Sequence, residues 1–357
     1  MNQLVIRVDA SVWIGTGHVM RCLVLADELS SRGLKPKFAC LPQKGDMISY
    51  IESRGYEVFS LTPCQAVTPK QNDDYLGWLQ RTVEEDSSDF FNQVKSVDLV
   101  IVDHYALDAS WHKRIKSRFN CKVVAIDDLA RQHDADILID QTLGRSATDY
   151  SGIEKILTGT RYALLNNNFS KLRSEAEKRV RSRGKLRVLI SMGGIDLPNA
   201  TSKIIHSLAD LPDTELTVLL GERSPHYKRV KELSTFYDNV KHINFTSDMA
   251  GLMLAQDIAV GAPGSTSWER ACLGLPSIVI PIADNQNMIC EQLVKHGACL
   301  SIPLETIQEA LPDALIQLTG KWREYYHNSL AICDGRGAVR VTDEIMRVIN
   351  EDNNLMH

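Results

Sequence analysis

An alternation that runs twice along the chain leaves few folds open to it. Short, nearly continuous apolar runs rich in Val and Ile fall at residues 4–8, 37–40, 56–59, 99–102, 123–126 and 137–139. Strands covered on both faces have this composition, whereas strands with one wet face alternate apolar and polar residues. Between the first two runs Val19, Leu23, Ala26 and Leu29 recur at helical spacing, and Gly33 is placed to end that helix. Strand, helix and strand in repeated order predict a parallel sheet with right-handed crossovers. The pattern pauses over residues 169–185, dominated by Lys, Arg, Glu and Ser, then restarts at 186–190, 216–220, 258–260 and 277–280.

A chain of 357 residues is too long for one ordinary core. The expectation is therefore an α/β protein with two Rossmann-like domains whose parallel sheets face each other across a cleft. Residues 1–168 form the first domain, 169–185 a charged linker and 186–337 the second domain. Residues 338–357 form a final helix and tail that can return to the first domain. A single sheet with a helical linker is the alternative.

Hydrophobic residues make up 44% and charged residues 24%, ordinary values that exclude a disordered, collagen-like or coiled-coil chain. A net charge of −5 and a pI near 6.1 give no electrostatic reason to expect nucleic acid as a partner. The basic residues between Lys171 and Arg187 suit the linker better than a nucleic-acid surface. No run of about 18 apolar residues is present, and the opening MNQLVIRVDAS lacks a basic segment followed by an apolar one. A cytoplasmic protein with no membrane partner is expected. None of the eight cysteines sits in a C-x-x-C pair, so buried thiols are expected in place of disulfides or zinc ligands.

Three places carry residues suited to chemistry. The first, Asp9 to His18, follows the first strand, at the edge where open α/β sheets bind ligands. Gly15 and Gly17 permit a tight turn and close approach of a substrate. His18 falls in the first helical turn, where the positive end of the dipole favours a neutral imidazole. It reads equally as a general base or as a turn histidine bonded to backbone. The segment is not a dinucleotide fingerprint, because G-x-G-x-x-G would need glycine at Met20.

The second, Asp103-His104-Tyr105, leaves the fourth run in the same way. These residues can orient His18 or contact a sugar; alternatively Asp103 caps a helix with Tyr105 packed. Asp127-Asp128 ends the next run and reads as a cap, no further ligand spacing supporting a metal. The third place is in the second half, where Ser191-Met192-Gly193-Gly194 and Gly261 to Glu269 follow strands. Small residues at a strand-to-helix turn offer backbone N–H groups and a helix dipole to an anion. Ser265, Thr266 and Ser267 add hydroxyls, and Glu269 can accept from a ribose diol. A structural glycine turn with a serine cap is the alternative.

With those residues in view, the chain resembles the UDP-2,4-diacetamido-2,4,6-trideoxy-β-L-altropyranose hydrolases of pseudaminic acid biosynthesis, PseG-type relatives of the MurG-like glycosyltransferases. The likeness is carried by R-x-D-x-S-x-x-I-G-x-G-H from Arg7 to His18, with Arg21 following. It continues in D-H-Y at 103–105, I-D-D at 126–128, S-M-G-G-x-D at 191–196 and D-N-Q at 284–286. The resemblance implies a GT-B fold and hydrolysis of a UDP-sugar at the anomeric C–O bond with inversion, using water and neither metal nor cofactor. It implies His18 as general base, with Tyr105 and Asn285 touching sugar or water. Nucleotide contacts fall to Gly193, Gly194, Ser265, Thr266 and Glu269. Gly15, Gly17, Arg21, Asp103 and Gln286 are taken with them as substrate contacts. Other enzymes of nonulosonic acid synthesis become partners only through shared metabolites. Trp268 stands where a smaller residue is expected.

Four other expectations compete: a GT-B glycosyltransferase, a hydrolase of another amino sugar (legionaminic acid or spore-coat type), a hydrolysing 2-epimerase, and a non-catalytic UDP-sugar-binding module.

Overall fold

In a computed structural model, which describes residues 3–71, 73–181 and 184–355, the chain divides into two units. The first joins Met1–Leu164 to Arg336–His357, and the second is Leu165–Gly335. The first holds a seven-stranded sheet, with β1 Leu4–Val8, β2 Lys37–Cys40, β3 Val58–Ser60, β4 Leu99–Asp103, β5 Lys122–Ile126, β6 Ile137–Asp140 and β7 Lys155–Thr158. The second holds six strands: β8 Leu186–Ser191, β9 Thr214–Leu219, β10 Val240–Ile243, β11 Ile258–Gly261, β12 Ser277–Val279 and β13 Cys299–Ser301. The orders are β3-β2-β1-β4-β5-β6-β7 and β10-β9-β8-β11-β12-β13, and neighbours pair in parallel.

Each sheet thus reverses its winding once, between β1 and β4 and between β8 and β11. Two strands that diverge to opposite sides leave a crevice at their carboxyl ends, where open α/β sheets place ligands. Register fixes which residues meet there: Val8 lies beside Asp103, and Gly261 beside Ser191. The central strands carry the unbroken apolar runs because helices cover both their faces. Val5, Ile6, Val100, Ile101, Val123 and Val124 are all sealed from solvent.

The expected linker is corrected by the structure. Residues 167–176 form a helix, Asn167–Ala176, that belongs to the second unit. Its Arg173 donates to the carbonyls of Cys272, Leu330 and Cys333, and Arg179 donates to those of Met253 and Gln256. Arg173 and Arg179 thus satisfy the second unit's backbone carbonyls, so the charge of these two is structural. The final helix, Gly337–Leu355, packs on the first unit against the helix Gly17–Ser31, burying Ala338, Val341, Ile345 and Ile349. Among the described residues, no helix is long and apolar enough to cross a membrane.

Candidate active site

In the first unit, β1 ends at Val8 and the chain turns through residues 9–16 into the helix Gly17–Ser31. Ser11 Oγ accepts from the amides of Trp13 and Ile14, and Gly15 N donates to Ser11 O at 2.9 Å. Gly15 takes φ +78°, a conformation that suits glycine. Helical spacing of three then puts His18 and Arg21 on one buried face. Both meet Asp103, the last residue of β4. His18 Nδ1 lies 2.6 Å from Asp103 Oδ1. Arg21 donates from Nε to Oδ2 at 2.5 Å and from Nη2 to Oδ1 at 2.6 Å, a two-point grip. Burial alone would push the Asp103 carboxyl up, but Arg21 and His18 outweigh it and hold it well below the usual carboxylate range. An ionised Asp103 requires the proton of a neutral imidazole to sit on Nδ1, which leaves Nε2 as the basic nitrogen. The helix after β4, Ala109–Phe119, is capped by Asp108, so Asp103 is no cap.

Tyr105 follows on the same loop, 7% exposed, its ring 4.7 Å from that of His18 in an edge contact. Burial pushes its phenol well above the usual tyrosine range, and the neighbouring Asp128 adds to the shift. Asp128 also receives Arg21 Nη1 at 3.2 Å. Read from sequence only as part of a capping pair, it joins the His18 cluster. Its neighbour Asp127 holds Arg131 through the backbone N–H at 3.0 Å and Nε at 2.9 Å, clamping a turn with no helix behind it. Tyr75 and Trp78 also escaped the sequence reading. They come from a short helix, Tyr75–Leu79, and meet Tyr105 at ring distances of 5.0 Å edge-on and 5.7 Å tilted. Five residues in a polar stretch carry no readable period.

Beneath the cluster Arg7 bridges Asp9 and Asp86 at 2.6 Å each, all sealed from solvent. His104 Nδ1 accepts from Ala106 N at 3.0 Å, so its proton sits on Nε2, 3.7 Å from Asp9 Oδ2. Burial keeps this ring neutral, far below the usual histidine range. The middle residue of D-H-Y is therefore a neutral buried ring whose Nδ1 holds the backbone of its own loop.

The two glycine turns of the second unit differ. After β8, Gly193 takes φ +91°, but the next helix, Ala200–Leu208, is already capped: Asp196 accepts from the amides of Ala200 and Thr201 at 2.9 Å each. A carboxylate occupies the anion-binding end expected near Gly193 and Gly194. After β11, by contrast, the helix Thr266–Cys272 starts at Ser265 with no side chain capping it. Glu269 stands in its first turn, half-buried, with Oε2 enclosed and without a hydrogen-bond partner; burial pushes its carboxyl up to about 7. Arg270 turns inward, donating to Ala262 O at 3.0 Å and Ser267 Oγ at 2.9 Å. Trp268 is 1% exposed, so its bulk is spent inside the unit. Gln286 uses its side-chain oxygen to accept Ile282 N at 2.9 Å; Asn285 lies in the turn Asp284–Gln286, its side chain outside the described residues. Among the described residues no group of three or more His, Cys, Asp or Glu side chains is arranged to hold a metal.

Comparison with known proteins bears on both units. Residues 156–333 match the glycosyltransferase family 28 C-terminal domain. The chain is 26% identical over 302 residues to the UDP-2,4-diacetamido-2,4,6-trideoxy-β-L-altropyranose hydrolase of Campylobacter jejuni, covering 83% of this chain and 97% of that protein. It is 26% identical over 343 residues to a spore coat polysaccharide biosynthesis protein of Bacillus subtilis, covering 92% and 93%. It also matches an uncharacterized protein of Methanocaldococcus jannaschii at 26% over 292 residues, 78% of this chain but 55% of that relative. Among solved structures, MurG of Acinetobacter baumannii superposes with a TM-score of 0.67 at 17% identity, covering 97% of this chain and all of that one. Two Rossmann-like units and these relatives define an enzyme of the GT-B nucleotide-sugar class. Within that class the chain is similar to the UDP-2,4-diacetamido-2,4,6-trideoxy-β-L-altropyranose hydrolase of Campylobacter jejuni over most of the length of both.

Proposed function

We propose that this enzyme hydrolyses a UDP-linked 2,4-diacetamido-2,4,6-trideoxy sugar, releasing UDP and free sugar for nonulosonic (pseudaminic) acid synthesis in the cytoplasm. The observation that carries the reading is the bond between His18 Nδ1 and Asp103, which orients the ring and reserves Nε2 as a base. Water loses a proton to Nε2 as its oxygen attacks the anomeric carbon, and the C1–O bond to the diphosphate breaks on the opposite face. The anomeric configuration inverts. Arg21, bidentate on the same carboxylate, balances the charge Asp103 would otherwise present to the ring. Tyr105 and Asn285 are assigned to sugar or water contacts, and Gly15 and Gly17 to close approach.

A diphosphate departs without help from a strong acid, since a phosphate monoester's second pKa is about 6. It does need its charge met, which the uncapped turn at Ser265 and Thr266 supplies through hydroxyls and backbone N–H groups. Glu269, its Oε2 unpartnered, is assigned to the ribose diol, and Gly193 and Gly194 to the nucleotide. The reading asks for no metal and no cofactor, so turnover should be unchanged in EDTA.

The test is incubation of the purified chain, without acceptor, with a panel of UDP-, CDP- and GDP-linked amino sugars, following released nucleotide and the product anomer by NMR. UDP with the inverted free sugar is expected. A second reading, transfer of the sugar to an acceptor, is favoured by the glycosyltransferase family 28 match. It would be indicated by nucleotide release only when an acceptor is added. A spore-coat-type substrate, suggested by the Bacillus relative, would appear as selectivity for a different sugar in the same panel.

A further inference from the structure

Between β3 and the helix Val83–Gln93 the chain makes a long excursion whose regular structure, among the described residues, is the helix Tyr75–Leu79. Its sequence is Tyr-Leu-Gly-Trp-Leu. Leu79 is sealed into the core, while Leu76 is 59% exposed and Tyr75 and Trp78 are half-buried. Leu76 is a single exposed apolar side chain, which is ordinary; the two aromatic rings beside it are each only partly covered by the protein.

The helix is firmly held. Asp74 accepts the amides of Gly77 and Lys70 at 3.0 Å each, and Gln43 Nε2 donates to Trp78 O at 3.1 Å. Gln80 Nε2 donates to Val67 O at 2.7 Å, tying the exit back to the loop. Gly77 fits because a Cβ there would lie 2.6 Å from Asp74 Oδ2 and 3.1 Å from Pro69 Cα. So much bonding for five residues fixes where two aromatic rings stand. They stand on Tyr105, with Tyr75 and Trp78 4.9 Å apart, and Tyr105 touches His18.

We propose that Tyr75 and Trp78 form a wall that receives a methyl-bearing substituent of the sugar, a deoxy C6 or an acetamido methyl. The wall thereby sets a preference for deoxygenated, N-acylated sugars over hydroxylated ones. The inference rests on the nucleotide-sugar reading above and adds the residues that select the sugar. A hydroxyl loses its water against such rings without gaining a partner, whereas a methyl gains contact and sheds water. One apolar group in a matching pocket discriminates by roughly 10–200-fold.

The test compares wild type with Trp78→Ala, Tyr75→Ala and Trp78→Phe. Probes are UDP-2,4-diacetamido-2,4,6-trideoxy-β-L-altropyranose, UDP-2-acetamido-2,6-dideoxyglucose, UDP-N-acetylglucosamine and UDP alone. Trp78→Ala is expected to raise KM for the first probe roughly 10-fold or more, with kcat and the affinity for UDP unchanged, while Trp78→Phe retains most of the preference. Loss shared by the 6-deoxyglucose probe but not by UDP-N-acetylglucosamine assigns the wall to C6; loss shared by all three sugars but not by UDP assigns it to the C2 acetamido methyl; loss confined to the diacetamido sugar assigns it to the C4 acetamido methyl. Equal loss on every probe, UDP included, would show a structural role and overturn the proposal, as would no loss at all. If the wild type releases no nucleotide, the hydrolase reading fails by itself. Calorimetric affinities for the same probes then decide the wall: sugar-dependent binding lost in Trp78→Ala upholds it, and sugar-independent binding refutes it.

Discussion

At the scale of single residues, three side chains make three different predictions: His18 and Asp103 in the first unit and Glu269 in the second. His18→Ala should lower kcat by roughly 10²–10⁴-fold, the usual worth of general-base help, while UDP affinity by calorimetry stays as in wild type. Parallel loss of both would mark a structural histidine. Asp103→Asn removes the charge that fixes the His18 proton on Nδ1 and leaves Arg21 only Asp128 as a carboxylate partner. It should reduce kcat and displace the acidic limb of the pH–rate profile; an unmoved limb would separate Asp103 from the base. Glu269 gives a stability test in the ligand-free protein. Its carboxyl is pushed up by burial from 4.5 to about 7, so between those values the folded state holds a proton that the unfolded state has released. Stability contributed by that group therefore falls as pH rises from about 4.5 to 7. Glu269→Gln should raise Tm relative to wild type at pH 8 and leave it unchanged at pH 4, and a pH-independent difference would contradict the burial argument.

At the scale of elements, the second unit's two turns separate capping from ligand binding. Asp196→Ala strips two amides of the helix Ala200–Leu208 of their acceptor and should cost about 0.5–2 kcal/mol in urea unfolding. Asp196→Asn should recover most of it. What the sequence allowed to be read follows from burial. The inner strands are legible because both faces are covered and their residues are almost all apolar, as in Leu99–Asp103 and Ile258–Gly261. The unread strands are the edges Lys155–Thr158, Val240–Ile243 and Cys299–Ser301. One open side lets Lys155, Thr158, Lys241, His242 and Ser301 face water, and the apolar run dissolves. The candidate site was legible where it lies at or just past strand ends: Asp103 ends β4, and His18 opens the helix that follows β1. Asp128 was hidden because a carboxylate pair after a strand serves a turn as readily as a cluster.

At the scale of the whole molecule, the chain leaves its first unit at Leu164 and returns at Arg336, so the first unit is completed only by the final helix. Deleting residues 337–357 would uncover Val341, Ile345 and Ile349. Each fully buried aliphatic is worth about 1.5–3 kcal/mol, and a domain has about 5–15 to lose. The truncated chain should be insoluble or melt at least ten degrees lower (roughly 4–8 °C per kcal/mol in a small domain); an unchanged Tm would show that the helix only decorates the unit. The central claim, that water activated by His18 displaces UDP at the anomeric carbon, is most directly tested by turnover in ¹⁸O-labelled water. One labelled oxygen on C1 of an inverted sugar and none in UDP is the predicted result. Label in the β-phosphate, or retention at C1, would contradict it.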